Sequence, residues 1–183
     1  MRNIVLIGMP GVGKSTVGVI LAKEIGYQFV DSDLLIQKAE GKLLKEIIAE
    51  QGVDGFLEIE DRVNASIETE KSVIATGGSV VYGRAAMKHF KETALVVYLS
   101  CPYSRLEKRL GDLKGRGVVI KDGQTLRDIY EERCRLYEQY ADVTVDEANH
   151  GIEATLELLI REIERFHLGS SAQAPEGKEL SVK

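Results

Sequence analysis

The chain has 183 residues, which fits one domain, and its 44% hydrophobic and 29% charged residues are proportions typical of a globular protein. The net charge of −5 argues against a nucleic acid or an anionic membrane as a partner. No apolar run is long enough to span a bilayer and the chain opens directly on a predicted strand, so we expect a cytoplasmic protein without a signal peptide. We also expect a monomer. Cys101 and Cys134 belong to no paired motif, and we expect both to be reduced.

The first predicted strand leads into a phosphate-binding loop. The apolar run Ile4–Ile7 predicts a buried parallel strand, and the segment Gly8–Thr16 that follows has the pattern G-x-x-x-x-G-K-[ST]. Helical spacing of apolar residues then runs from Gly13 to Ile25. In this strand–loop–helix context, glycines let backbone N–H groups surround a phosphate, and the helix N-terminus adds a partial positive charge.

This loop predicts an ATP site with magnesium. Lys14 can reach the β- and γ-phosphates, and the Ser15 hydroxyl can bind Mg²⁺. A glycine-rich turn without a ligand would need neither residue, and the G-x-G-x-x-G spacing of a dinucleotide site is absent. The predicted nucleotide-binding residues of the loop are Gly11, Val12, Gly13, Lys14, Ser15 and Thr16.

A pair of carboxylates follows the second predicted strand, residues 28–30. Asp31 and Asp33 alternate with Ser32, so in extended chain they point the same way, at the strand end where open α/β sheets bind ligands. One carboxylate could serve Mg²⁺ and the other a substrate hydroxyl. The alternative is that one of them only caps the next helix.

The predicted substrate-binding segment covers residues 33–61. Helical spacing over 34–51 is broken at Gly41, residues 52–55 predict a turn, and a second helix is expected over 56–70. No arginine lies between Asp33 and Asp61. This disfavours a nucleotide as the phosphate acceptor, because arginine is the usual ligand of a phosphate group.

The third predicted strand, residues 72–75, ends in Thr76, Gly77, Gly78 and Ser79. Glycines at a strand end allow a small ligand to approach the backbone closely, although a plain strand-to-helix turn has a similar composition. A short helix near 84–91, a fourth strand over 95–99 and a helix ending at Leu110 follow.

Residues 111–123 are rich in glycine and charge and predict a mobile lid. Arg116 at its centre is a candidate arginine for the transferring phosphoryl group, or else a solvated loop charge. A helix over 125–140, a fifth strand over 143–145 and a closing helix over 152–166 complete a domain spanning 1–168, and we expect 169–183 to be disordered. The alternation predicts an α/β three-layer sandwich around a parallel sheet.

The sequence resembles the shikimate kinases, members of the P-loop group that includes the nucleoside monophosphate kinases. The resemblance extends from Asn3 to about Ile163 and is carried by Gly8–Thr16, Asp31–Asp33, the Ala75–Gly78 stretch, Arg116, and the run from Glu132 to Asp142. It implies a five-stranded parallel sheet, a mobile lid, and phosphoryl transfer from MgATP to a ring hydroxyl of shikimate.

The resemblance also implies roles for residues on the nucleotide side. Lys14 would hold phosphates, and Ser15 with Asp31 would organise Mg²⁺. Arg116 would bridge phosphate and substrate when the lid closes. Arg109 falls where the family stacks an arginine on adenine.

On the acceptor side, the resemblance implies that Asp33 orients the reacting hydroxyl and takes its proton. Gly77 and Gly78 would lie against the shikimate ring, and Arg133 would pair with its carboxylate.

The chain departs from the family pattern at three positions. The arginine of Phe-Arg-x-x-Glu, which helps to bind the carboxylate, is Leu57; the third glycine after the strand is Ser79; and an expected proline is Arg135. Leu57 leaves two alternatives open: Arg135 or a lysine compensates, or the acceptor is another small hydroxylated molecule. A nucleotide-binding regulatory module is a further alternative, although the N-K-x-D motif of guanine recognition is absent.

Overall fold

The computed structural model describes residues 2–110, 119, 123–147 and 151–171. They form a five-stranded parallel sheet with the order β2-β3-β1-β4-β5. The strands are β1 Asn3–Ile7, β2 Gln28–Asp31, β3 Ser72–Ala75, β4 Ala94–Ser100 and β5 Val143–Asp146. The helices are α1 Lys14–Ile25, α2 Ser32–Glu40, α3 Leu44–Ala65, α4 Arg84–Thr93, α5 Tyr103–Leu110, α6 Leu126–Tyr140 and α7 Ile152–Ser171, with a short 3₁₀ turn at Val80–Tyr82.

The sheet forms the centre of the hydrophobic core. Every residue of β1 is buried, as is all of β4 except Ser100. Continuous burial means that both faces of these strands are covered, as in parallel sheets flanked by helices. Helix α1 packs against α7, and α3 packs against α4. The predicted α/β sandwich with a five-stranded parallel sheet is confirmed.

The strand order gathers the predicted site at one edge of the sheet. After β1 the chain crosses to β2 and β3 on one side, and β4 then returns to the other side of β1. The register pairs Asp31 with Ala75 and Leu6 with Ala75, so the segments that follow β1, β2 and β3 leave the sheet together. A parallel sheet binds its ligands at the carboxyl ends of the strands beside such a reversal of order.

The predicted break between two helices at 52–55 falls at Gly52, where two helices meet at a kink, although residues 53–55 are helical and α3 is counted as one element. Only Gly52 leaves helical geometry, with φ 71° and ψ −180°, so the helix kinks and then resumes. The two halves stay joined because Ile47 before the kink and Phe56 after it belong to one apolar cluster, against which Val53 packs. The helix also ends at Ala65, five residues before the predicted end at residue 70.

At the other end of the chain, α7 runs to Ser171, past the predicted end at residue 166 and into the first residues of the expected tail. Gly169 lowers helix propensity by only about 1 kcal/mol, which does not stop a helix whose earlier turns are packed. The rest of the tail, and residues 111–118 and 120–122 of the predicted lid with Arg116, lie outside the described residues. Among those described, no helix has the length and apolar content needed to cross a membrane.

Candidate active site

A cleft of about 310 Å³ opens at the carboxyl edge of the sheet. Its walls come from the loop after β1, from α2 and α3, from the segment after β3, and from α6. The charged and polar side chains that line it are Lys14, Ser15, Thr16, Asp33, Glu60, Thr76, Ser79 and Arg133. The cleft therefore brings the predicted phosphate loop and the predicted acceptor residues into one cavity.

The phosphate loop has the backbone that its glycines allow. Gly8, Gly11 and Gly13 all have positive φ, at 144°, 78° and 98°. A Cβ on Gly8 would lie 2.6 Å from the carbonyl oxygen of Leu99, so a side chain at Gly8 does not fit. Gly13 is also the N-cap of α1, which places the helix N-terminus at the cleft.

Lys14 is folded back onto this loop. Its buried ammonium donates hydrogen bonds to the carbonyl oxygens of Gly8, at 2.7 Å, and Met9, at 2.9 Å. Burial lowers the pKa of Lys14 to about 8, and the nearby Asp33 carboxylate opposes that shift. An incoming phosphate would therefore find a positive charge already inside the loop.

Ser15 and Asp31, the two residues of the predicted magnesium site, lie next to each other. The Ser15 hydroxyl donates to Asp31 Oδ2 at 3.0 Å, while Asp31 Oδ1 accepts the backbone N–H of Asp33 at 3.0 Å. Asp31 thus caps α2 and contacts the phosphate loop at once, so its capping role is confirmed and its role toward Mg²⁺ stays a prediction. A hydroxyl and a carboxylate oxygen suit Mg²⁺, which usually takes few protein ligands beside phosphates and water. No group of three or more His, Cys, Asp or Glu in the described part of the chain could hold a metal.

Asp33 and the two glycines after β3 form the middle of the cleft. Burial raises the pKa of Asp33, Asp31 adds to the rise, and Lys14 opposes it. A Cβ on Gly77 would lie 2.4 Å from Glu60 Oε1 and 3.0 Å from Asp33 Oδ1. A Cβ on Gly78 would lie 2.6 Å from Pro10 Cδ. Glycine at both positions is therefore what allows the strand end to approach these groups.

Arg133 forms the far wall and is only 2% exposed. Its Nη2 donates to the carbonyl oxygen of Val119 at 2.7 Å and its Nε to the Tyr82 hydroxyl at 3.3 Å. The guanidinium carbon lies 5.3 Å from the centre of the Tyr82 ring, within the range of a cation–π contact. One turn further along α6, the Tyr137 hydroxyl donates to the carbonyl oxygen of Gly78 at 2.5 Å. These two tyrosines hold the acceptor wall in place, and the sequence analysis did not identify either.

The sequence analysis also missed Glu60 as a separate group. Its carboxylate is 2% exposed, lines the cleft, and makes no well-formed hydrogen bond with either oxygen. Burial raises the pKa of Glu60 to about 7, and the neighbouring Ser79 hydroxyl partly opposes that rise. The signal in the sequence was its spacing, because Glu60 lies four residues after the buried Phe56, on the same face of α3.

Arg109 lies outside this cleft, on the other side of the phosphate loop. Its guanidinium makes two hydrogen bonds to the largely buried Glu147, at 3.1 and 2.7 Å, and Nη1 is 3.5 Å from the carbonyl oxygen of Gly11. Both residues line a second cavity of about 180 Å³ with Val12 and Thr16. Glu147 was not predicted from the sequence; its position directly after β5 was the available signal.

Two of the positions where the chain departs from the family pattern do not line the cleft. Leu57 is half-buried and packs against the apolar cluster that contains Ile47 and Phe56. Arg135 is exposed on α6, two residues beyond the buried Arg133. Among the residues that the structure describes, Arg135 therefore does not replace the arginine absent at position 57.

Comparison with known proteins identifies the family. The shikimate kinase family model matches residues 10–164. The shikimate kinase of Persephonella marina is 35% identical over 79% of this chain and 88% of its own length. Among solved structures, the shikimate kinase of Acinetobacter baumannii in complex with shikimate has a TM-score of 0.77 at 31% identity and covers 93% of this chain and 94% of its own. The shikimate kinase of Aquifex aeolicus has a TM-score of 0.80 at 29% identity, over 91% and 99% of the two chains. The chain therefore belongs to the shikimate kinase family.

Proposed function

We propose that the protein transfers the γ-phosphoryl group of ATP to the 3-hydroxyl of shikimate, releasing ADP and shikimate 3-phosphate. The observation that carries this proposal is that one cleft holds both the phosphate loop with Lys14 and an acceptor wall with Asp33 and Arg133. The complex of the A. baumannii relative with shikimate supports the choice of acceptor.

At the nucleotide end, the loop residues Gly11–Thr16 would hold the phosphates through backbone N–H groups and Lys14. Ser15 and Asp31, 3.0 Å apart, would hold Mg²⁺, which neutralises phosphate charge when bound. Because phosphoryl transfer leaves little covalent chemistry to the protein, the protein would act mainly by positioning and charge.

The base of the nucleotide would lie in the second cavity, against Arg109. The two hydrogen bonds from Glu147 fix the guanidinium beside the loop, so a flat ring could stack on it without ordering a flexible side chain. We assign Glu147 as a positioning residue that acts through Arg109.

At the acceptor end, Asp33 would orient the reacting hydroxyl and accept its proton, for which a raised pKa is suitable. Gly77 and Gly78 leave room for the ring against the strand end. Arg133 would pair with the substrate carboxylate, and its contact with the carbonyl of Val119 links that pairing to the predicted lid. Arg116 of that lid is proposed to contact the transferring phosphoryl group, as the family resemblance implies.

Coupled measurement of ADP release tests this proposal. With MgATP, we expect turnover to depend on shikimate, with saturation below millimolar concentration. ADP release that shikimate does not stimulate at several millimolar would contradict the proposed function.

A second acceptor is favoured by one observation: the acceptor end holds two carboxylates, Asp33 and Glu60, but only Arg133 as a guanidinium among the described residues lining the cleft. A small hydroxylated molecule with a weaker negative charge, or none, would suit this balance. A panel of hydroxy acids, polyols and nucleosides in the same ADP-release measurement separates the two candidates. If shikimate is the acceptor, it should have the highest kcat/KM of the panel, and otherwise another compound should exceed it.

We further propose a monomer of the cytoplasm without a nucleic-acid or membrane partner. Support comes from the net charge of −5 and from Cys101 and Cys134, which are both free thiols, as is usual in a reducing compartment. Analytical ultracentrifugation at micromolar concentration tests the monomer.

A further inference from the structure

We propose that Glu60 binds a hydroxyl group of the acceptor directly, as a specificity-determining residue, because Leu57 removes the arginine that would lie one helical turn away from its carboxylate. The proposal rests on the proposed function and adds a second hydroxyl contact beside that of Asp33.

The carboxylate of Glu60 has two unsatisfied hydrogen-bond acceptors. The residue is only 2% exposed, and neither of its buried oxygens makes a well-formed hydrogen bond. Buried carboxylates are almost always paired or hydrogen-bonded, and an unsatisfied one is strongly unfavourable. Because the residue lines the cleft, an acceptor bound there would supply the missing donor once the carboxylate turns toward it.

Among the residues that the structure describes, the substitution at position 57 explains why Glu60 has no hydrogen-bond partner. Positions 57 and 60 are neighbours on α3, one helical turn apart, where an arginine and a glutamate would pair. Leu57 instead packs into the apolar cluster around Phe56. The Ser79 hydroxyl lies beside this carboxylate, at a position where the family pattern has glycine. Two departures from that pattern therefore meet at one carboxylate.

The carboxylate of Glu60 lies beside Gly77, as does that of Asp33. A Cβ on Gly77 would lie 2.4 Å from Glu60 Oε1 and 3.0 Å from Asp33 Oδ1, so the two carboxylates flank this glycine. A ring that lay against Gly77 with its reacting hydroxyl on Asp33 would bring a neighbouring hydroxyl toward Glu60. Shikimate carries three neighbouring ring hydroxyls, and the reaction uses one of them.

The consequence is a shift in how the acceptor is recognised. Without an arginine at position 57, the carboxylate of the acceptor is bound by Arg133, whereas its hydroxyl groups are bound by Asp33 and Glu60. The protein should therefore discriminate strongly against an acceptor that lacks the hydroxyl group facing Glu60.

The experiment measures kcat/KM for shikimate and for two analogues that lack the hydroxyl on ring carbon 4 or on carbon 5. It compares wild type, Glu60→Gln and Leu57→Arg. Glu58→Gln is the matched control, because it makes the same chemical change at an exposed site of the same helix. Circular dichroism and thermal unfolding check that each variant is folded.

We expect the wild type to lose about tenfold in kcat/KM on one of the two analogues, as for a hydrogen bond to a charged group. Glu60→Gln should lose about tenfold on shikimate and change little on that same analogue, while Glu58→Gln stays within twofold of wild type on all three substrates. Leu57→Arg should reduce the discrimination between shikimate and that analogue, because the new guanidinium pairs with Glu60.

An equal loss for Glu60→Gln on all three substrates, or no loss on any, would overturn the proposal, since a structural role lowers activity without regard to one hydroxyl. Unchanged discrimination in Leu57→Arg would also contradict it, independently of how Glu60→Gln folds. If wild-type protein does not turn over shikimate at all, the proposed function and this inference are both overturned, whereas turnover with a uniform loss overturns this inference alone.

Discussion

The two ends of the cleft differ in how they are built. The phosphate end is one continuous segment, in which backbone geometry and Lys14 are set by residues close in sequence. The acceptor end is assembled from α2, α3, the segment after β3 and α6, and it contains two departures from the family pattern, Leu57 beside it and Ser79 within it. A site made by a local backbone motif tolerates few substitutions, whereas a site made by side chains from separate elements can change its ligand through single substitutions.

The largest expected effect tests the phosphate end. Lys14→Ala should lower kcat by about a thousandfold or more, because it removes the buried charge that stabilises the transferring phosphoryl group. Coupled ADP release measures this, with Lys23→Ala, an exposed lysine of the same helix, as the control. A loss below tenfold would show that the loop does not act through this charge.

Asp33→Asn tests the junction between the two ends. We expect kcat to fall by roughly a hundredfold or more, since the amide cannot accept the proton of the hydroxyl. The dissociation constant for MgATP, measured by titration calorimetry, should stay within about twofold, because Asp33 lies on the acceptor side. Equal losses in kcat and in nucleotide affinity would contradict this assignment.

Glu60 gives the acceptor end a dependence of stability on pH. Its pKa is about 7 in the folded protein, above the ordinary value of 4.5, with Lys14, Asp33 and Arg133 as the charged groups that face it. Between pH 4.5 and pH 7 the folded state therefore keeps a proton on Glu60 that the unfolded state has released. For this reason the contribution of Glu60 to stability falls as pH rises from about 4.5 to 7.

Glu60→Gln removes this titration. The free energy of unfolding of the variant minus that of wild type should increase by about 2–3 kcal/mol as pH rises from 5 to 8. Urea denaturation at each pH measures this difference. Glu58→Gln, at an exposed position, should show no such change with pH. A difference between Glu60→Gln and wild type that is constant with pH would contradict the raised pKa.

Arg133→Ala tests whether the acceptor is an anion. We expect the KM for shikimate to rise about thirtyfold, with the KM for ATP little changed, because a buried guanidinium paired with a carboxylate is lost. Arg135→Ala, exposed on the same helix, is the matched control. An unchanged KM for the acceptor in Arg133→Ala would count against any carboxylate substrate.

The smallest effect concerns the nucleotide base. Glu147→Gln should raise the KM for ATP about fivefold with kcat nearly unchanged, because it weakens the two hydrogen bonds that orient Arg109 without touching the phosphates. A fall in kcat without a change in this KM would instead indicate a role in catalysis or folding.

Much of the fold and of the phosphate end could be predicted because the signals are local. Hydrophobic runs located all five strands, and the spacing of glycines around Lys14 predicted a loop whose geometry the structure shows. The break at Gly52 was predicted as a longer turn because no local pattern shows that Ile47 and Phe56, on its two sides, belong to one apolar cluster.

The acceptor end was less predictable for the same reason. Neither the proximity of Ser79 to Glu60 nor the pairing of Arg109 with Glu147 leaves a pattern along the chain, since each joins residues from different elements. Tyr82 and Tyr137 look like ordinary core aromatics in the sequence, and only the fold shows that their hydroxyls bond to Arg133 and Gly78.

The ammonium of Lys14 donates hydrogen bonds to the carbonyl oxygens of Gly8 and Met9. Binding ATP thus exchanges one set of oxygen partners for another instead of creating contacts from water. The net gain in ground-state affinity from this side chain should then be modest, and its full benefit should emerge only when negative charge accumulates during transfer. The two carbonyl oxygens thus compensate the buried charge of Lys14 from within the loop itself.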